Sequence, residues 1–191
     1  TSYYIDNIDA KAKEMFKSIQ FKNGVLFMQS LPQENELFFH EMGLRLSGGL
    51  TYTITEAANQ INDLEMMIRY ALGEAMCSDE EIYRIDPRLG GQLAASLCIP
   101  LKVGIIGSID GIEEIINSLK IENFAQYRNV GDEITNKSIG TLMQHFGRFK
   151  FFVNSMEELV YTVNQIQKML TVRDITGNDM IYAYFDTDRL R

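Results

Sequence analysis

Hydrophobic positions along the chain follow two periods, helical and alternating, in an order that gives an α+β fold. After Asp9, the residues Ala12, Met15, Phe16 and Ile19 recur at helical spacing, with Asp9 placed as a cap and Asn23-Gly24 as a stop. Residues 25–30 and 37–46 read as strands, and the polar run Gln33-Glu34-Asn35-Glu36 between them reads as a hairpin turn closed off by Ser47-Gly48-Gly49. Thr53 with Glu56 predicts a capping box, and Leu64, Met67, Ile68, Ala71 and Leu72 share one face of a helix over 63–72 that Gly73 ends. The stretch 77–91 is turn-rich and reads as a hinge. Beyond it the pattern predicts a strand at 103–108, a helix opened by Asp110 and Glu113, and a strand at 121–128. A strand at 149–153, a helix opened by Ser155 and Glu158, and a last strand at 180–185 follow. The segments 107–119 and 152–166 resemble one another, each a strand end, a cap, a Glu-Glu pair and an apolar helix.

A hairpin centred on Asn35 sets Gln33 opposite Leu37, Leu31 opposite Phe39, Gln29 opposite Glu41 and Phe27 opposite Gly43. Gln29 and Glu41 then share a face with Arg45 among Val25, Phe27, Leu31, Leu37 and Phe39. The other face carries Leu26, Met28, Phe38, Met42 and Leu44, so both sides are expected to be covered. Polar groups among apolar neighbours need partners. Two readings satisfy them: a self-contained Glu41–Arg45 pair bridged by Gln29, or a site for magnesium and phosphate. A carboxylate and an amide carbonyl are oxygen donors for a hard cation, and a guanidinium forks onto phosphate oxygens.

Charge and composition narrow the function classes. The 191 residues carry a net charge of −8 and no tryptophan, with no cluster of Lys and Arg of the kind that neutralises nucleic-acid phosphates or anionic lipid. Apolar runs are too short to span a bilayer. Cys77 and Cys98 make neither a disulfide framework nor a metal knuckle, and with no leader pattern the chain is expected to be cytoplasmic. His40 is expected across the hairpin from Ser30, and His145 has no ligand at metal spacing. A chain that starts at Thr1 within a helical pattern is expected to belong to a longer polypeptide.

The segments 24–29 and 39–49, Gly-Val-Leu-Phe-Met-Gln and Phe-His-Glu-Met-Gly-Leu-Arg-Leu-Ser-Gly-Gly, resemble the C-terminal metal-binding hairpin of ATP-grasp ligases, most closely the carbamoyl-phosphate synthase large-subunit type. That resemblance implies that residues 1–76 are the C-terminal portion of an ATP-grasp core, 77–92 a connector and 93–191 a β-rich α+β extension. It assigns Gln29 and Glu41 as Mg2+ ligands and Arg45 as the catalytic contact to the transferred phosphoryl group of ATP. Ser47, Gly48, Gly49 and Tyr52 would line the cofactor and acceptor side. The family's Asn ligand position holds Gly43 here, so one metal ligand is expected from water, backbone or elsewhere, or one of the family's two ions is expected to be held weakly. The implied activity joins a small carboxylate to an amine through an acyl phosphate, with the rest of the site supplied by the N-terminal part of the same polypeptide and no nucleic acid or membrane involved. The oligomeric state stays open. The competing expectation is a non-catalytic sensing or assembly domain that kept the hairpin for structural reasons.

Overall fold

The computed structural model describes residues 2–33 and 36–190. Asn35, the expected centre of the hairpin turn, and Glu34 lie outside the described residues. The chain divides into two compact units, Thr1–Gly90 and Gly91–Arg191.

The first unit opens with α1 (Ser2–Asn7) and α2 (Asp9–Ser18), joined at Ile8. Asp9 is the first residue of α2 rather than its cap, and its carboxylate pairs with Lys13 at 2.6 Å. Strands β1 (Phe27–Gln33) and β2 (Glu36–Gly43) form an antiparallel hairpin. Helix α3 (Tyr52–Asn59) follows without the expected capping box: Thr53 Oγ1 donates to the Leu50 carbonyl, and Glu56 accepts from Asn62 Nδ2 at 2.9 Å. Gln60 at φ 57° breaks the helix, and Asn62 restarts it by accepting from the Leu64 and Glu65 amides at the head of α4 (Asp63–Ala71). The stretch expected as a turn-rich hinge contains α5 (Asp79–Arg84), whose Ser78 and Glu81 form a reciprocal capping box. Arg69 ties α4 to α5 by bonding both Glu65 and Glu81.

The second unit holds the main core. Strands β3 (Leu93–Pro100), β7 (His145–Val153) and β5 (Ile121–Gln126) form one antiparallel sheet in the order β3-β7-β5. Strands β6 (Glu133–Ile134), β4 (Gly104–Asp110) and β8 (Thr171–Asp174) form another, in the order β6-β4-β8. Helices α6 (Ile112–Ser118) and α7 (Met156–Met169) connect them. The chain leaves β4 through α6 to reach β5, which pairs with β7. It leaves β7 through α7 to reach β8, which pairs with β4. The two segments that resemble each other in sequence therefore play the same part in two interleaved strand-helix-strand units. Their caps differ: Ser155 accepts from the Glu158 amide as expected, whereas Asp110 ends β4 and Gly111 at φ 92° opens α6. A Cβ on Gly111 would meet the Met169 carbonyl oxygen at 2.2 Å, so the close approach of the helices' connections admits only glycine there. The strand expected at 180–185 is reduced to a single bridge between Ile181 and Leu101, and β3 was read from sequence only as an apolar run.

Phe146, Phe149, Phe151, Ile106, Ile115, Ile134, Ile166 and Val172 pack between these elements at 0–1% exposure. Phe124 stacks on Phe149 with ring centroids 4.4 Å apart. Lys150, paired in register with Ser96 and Asn123, is 1% exposed among them. Burial, and then the nearby Arg148 guanidinium, lower its pKa from 10.5 to about 8, with Cys98 acting weakly the other way. An amine whose folded pKa is depressed binds fewer protons folded than unfolded, so stability rises with pH from about 8 toward the ordinary lysine range. The expected rise is on the order of 1–3 kcal/mol. Urea unfolding at pH 7.5 and pH 10 checks it, and the difference should shrink in Lys150→Met.

Candidate functional site

The hairpin ladder pairs Phe27 with Gly43, Met28 with Met42 and Gln29 with Glu41, as the sequence predicts. Past Gln29 the register shifts by one, so Ser30 meets Phe39, Leu31 meets Phe38 and Gln33 meets Glu36. This corrects the expected Leu31–Phe39 and Gln33–Leu37 pairs. His40 is the extra residue of the resulting bulge, and a bulge re-aims the side chain it inserts. The imidazole does not reach across to Ser30; its Nε2 lies 3.2 Å from Gln29 Oε1, beside Glu41. His40 therefore belongs to the polar face, a neighbour that strict alternation hid.

These polar groups are not buried. Arg45 Nη2 and Glu41 Oε1 stand 3.8 Å apart with 58% and 47% of their side chains exposed, longer than the ~2.7–2.9 Å of a charge-assisted bond. The sealed ion pair among apolar neighbours is thus absent. Arg45 is held instead by its Nη1 donating to the Leu46 carbonyl at 3.1 Å and by the Phe27 ring, whose centroid lies 4.3 Å from Cζ. The expectation of two covered faces also fails, because Leu31, Phe38, Phe39, Met42 and Leu44 are each 42–65% exposed.

After β2 the chain turns through Ser47, Gly48 and Gly49, where Ser47 Oγ accepts from the Gly49 amide at 3.2 Å and Ser47 O from Leu50. Gly48 lies outside the left-handed region, and a Cβ built on it meets nothing within 4 Å, so the fold around it leaves open space beside the backbone. Tyr52 begins α3 just beyond. A cavity of about 600 Å³ lined by Tyr3, Ile8, Lys11, Met15, Phe38 and Phe39 touches none of the candidate site residues. Gln29 and Glu41 offer a hard cation two oxygen-bearing side chains. Among the described residues no group of three or more His, Cys, Asp or Glu is placed to hold a metal, so a cation here would complete its shell with oxygens from elsewhere.

Neither a protein-family model nor a curated protein matches the chain. Solved structures do. An L-amino acid ligase from Bacillus licheniformis superposes with a TM-score of 0.67 at 20% identity over 86% of this chain and 42% of its own. Phosphoribosylglycinamide synthetase from Anaerococcus prevotii gives 0.68 at 14% identity, over 91% and 43% respectively. A biotin carboxylase from Campylobacter jejuni, solved as a β,γ-ATP complex, gives 0.61 at 15% identity, over 92% and 36%. Over most of its length the chain has the α+β fold of part of these ATP-grasp structures. It spans roughly two fifths of the length of these structures. No helix among the described residues is long and apolar enough to cross a membrane.

The two glycines at the site separate by what surrounds them. Gly43→Ala would bring a Cβ to 2.3 Å from Phe27 Cε1 and force the ring to swing, which should cost about 1–3 kcal/mol. Gly48→Ala should stay within about 0.5 kcal/mol of the parent. Hydrogen exchange of the β1 and β2 amides measures both.

Proposed function

We propose that this chain supplies the magnesium and phosphate side of an ATP-dependent ligase that joins a carboxylate to an amine or similar nucleophile through an acyl phosphate. The observation that carries the reading is the direct opposition of Gln29 and Glu41 in the ladder, with Arg45 3.8 Å from Glu41 and all three exposed to an approaching ligand. The ligase fold and the carbamoyl-phosphate-synthase-like hairpin sequence support it.

In this reading Gln29 Oε1 and Glu41 hold Mg2+, whose chemistry when bound is neutralisation of charge on phosphate oxygens. Arg45 presents its free guanidinium edge to the phosphoryl group that moves, stabilising charge as it develops. His40, bonded to Gln29, fixes the direction of the amide oxygen. Ser47 orders the turn through the Gly49 amide, and open Gly48 lets the phosphate chain or acceptor come close to the backbone. Residues 1–76 then act as the last part of the ATP-grasp core, 77–92 as connector and 93–191 as the extension, in a cytoplasmic protein acting on small molecules. The remainder of the ATP site, and the cover for Leu31, Phe38, Phe39, Met42 and Leu44, come from the N-terminal part of the same polypeptide. A hairpin with this much exposed apolar surface gains little stability by itself.

A second reading, a binding or assembly domain that kept the hairpin, draws on Gly43, which lacks the family's ligand side chain. The two part on Glu41→Gln, which keeps the shape and removes the charge. In the full-length protein the ligase reading expects acid-dependent ATP hydrolysis to fall about 10²-fold. Unchanged turnover sinks it. Calorimetry on this chain alone should show Mg-ATP binding no tighter than millimolar, since the other wall is absent, and micromolar affinity would contradict that division of the site.

A further inference from the structure

Gly43 is extended backbone outside the left-handed region, so its conformation does not require glycine. The requirement comes from Phe27 directly across the ladder: a Cβ at 43 would lie 2.3 Å from Phe27 Cε1, 3.0 Å from Cδ1 and 3.1 Å from Cζ. The ring occupies the room that a side chain at 43 would fill. The ring also meets the Arg45 guanidinium, 4.3 Å from the ring centroid, within the range of a cation–π interaction. The partners of Arg45 divide accordingly. Nη1 is committed to the Leu46 carbonyl, and Nη2 stands off Glu41 at 3.8 Å. A guanidinium resting on a ring is held in orientation without spending a carboxylate on it. Both Glu41 oxygens and the outer edge of Arg45 therefore remain open to ligands of opposite charge.

Resting on the ligase reading, we infer that Phe27 is a positioning residue of this site. Glycine at 43 is coupled to it: with no side chain there, the ring fits opposite and serves as a platform that aims Arg45 at phosphate oxygens. Phe27 touches neither phosphate nor metal and acts through Arg45. A ring that only filled the gap opposite Gly43 would be replaceable by leucine, whereas a platform needs an aromatic face.

The test uses the chain with labelled arginine and reads the Arg45 side-chain signals by NMR, with magnesium tripolyphosphate as the probe. In the parent, the Arg45 δ-protons should sit upfield of the other arginines through the Phe27 ring current and should move on titration. Phe27→Leu should return them to the ordinary position and raise the tripolyphosphate midpoint about two- to fivefold, the weight of one exposed cation–π contact. Phe27→Tyr and Phe27→Trp should restore both. An ordinary Arg45 shift in the parent overturns the platform and needs no variant to fold. A Phe27→Leu titration equal to the parent overturns the positioning role while leaving the phosphate site standing. Arg45 signals that stay ring-shifted yet ignore tripolyphosphate overturn the phosphate reading itself, and the role of Phe27 toward phosphate with it.

Discussion

At the open end of the hairpin, Phe27 packs against a residue that has no side chain, and the geometry of the candidate site follows from that contact. With Gly43 beneath it the ring settles across the ladder, and with Arg45 over it the bend after β2 is held near the carboxylate of Glu41. Two ladder positions further along β1, Gln29 stands opposite Glu41 and keeps the bond from His40. An amide, a carboxylate and a guanidinium thus converge on an exposed surface without neutralising one another. Groups of these types close into a compact ion pair when nothing else holds them apart. Here an aromatic ring and a backbone carbonyl take up the guanidinium.

The two units distribute stability and chemistry unequally. The buried hydrophobic cluster belongs to the second unit, where the interleaved strand-helix-strand pair encloses phenylalanine and isoleucine side chains. Among the described residues of the first unit the buried hydrophobic positions are Ala12, Ile61 and Met76, and the hairpin presents large apolar side chains to water. The candidate site therefore sits on the less consolidated unit.

The hairpin strands, β4, β5, β7 and helices α6 and α7 are legible because alternation and helical periodicity are properties of side-chain order alone, whereas β3, β6 and β8 are too short or too evenly apolar to show a period. The Gln29–Glu41 pair was legible for the same reason, since the chain between them was read with a symmetric turn. The register beyond it was not. The bulge at His40 depends on how the strands twist and pair, which spacing does not encode, and it moved a histidine onto the polar face. The exposure of Gln29, Glu41 and Arg45 is not legible, because apolar neighbours in sequence need not cover a side chain in space. Helix α5 had its signal in Ser78 and Glu81, but the glycines and proline after it made the whole stretch read as turn. The contact between Phe27 and Gly43 lay one step from legible, since the predicted register already set them opposite each other. What was missing was the ring's conformation.

If the ligase reading holds, divalent metal with nucleotide phosphate collects at Gln29 and Glu41, not over an acidic surface at large. Paramagnetic broadening of backbone amides by manganous ATP tests this most directly, because the ion reports its own position. The account predicts that the amides flanking Gln29 and Glu41 broaden first, followed by those at Arg45 and Gly48. Broadening that begins at the acidic first turn of α5, or that spreads evenly over the negatively charged surface, would contradict it.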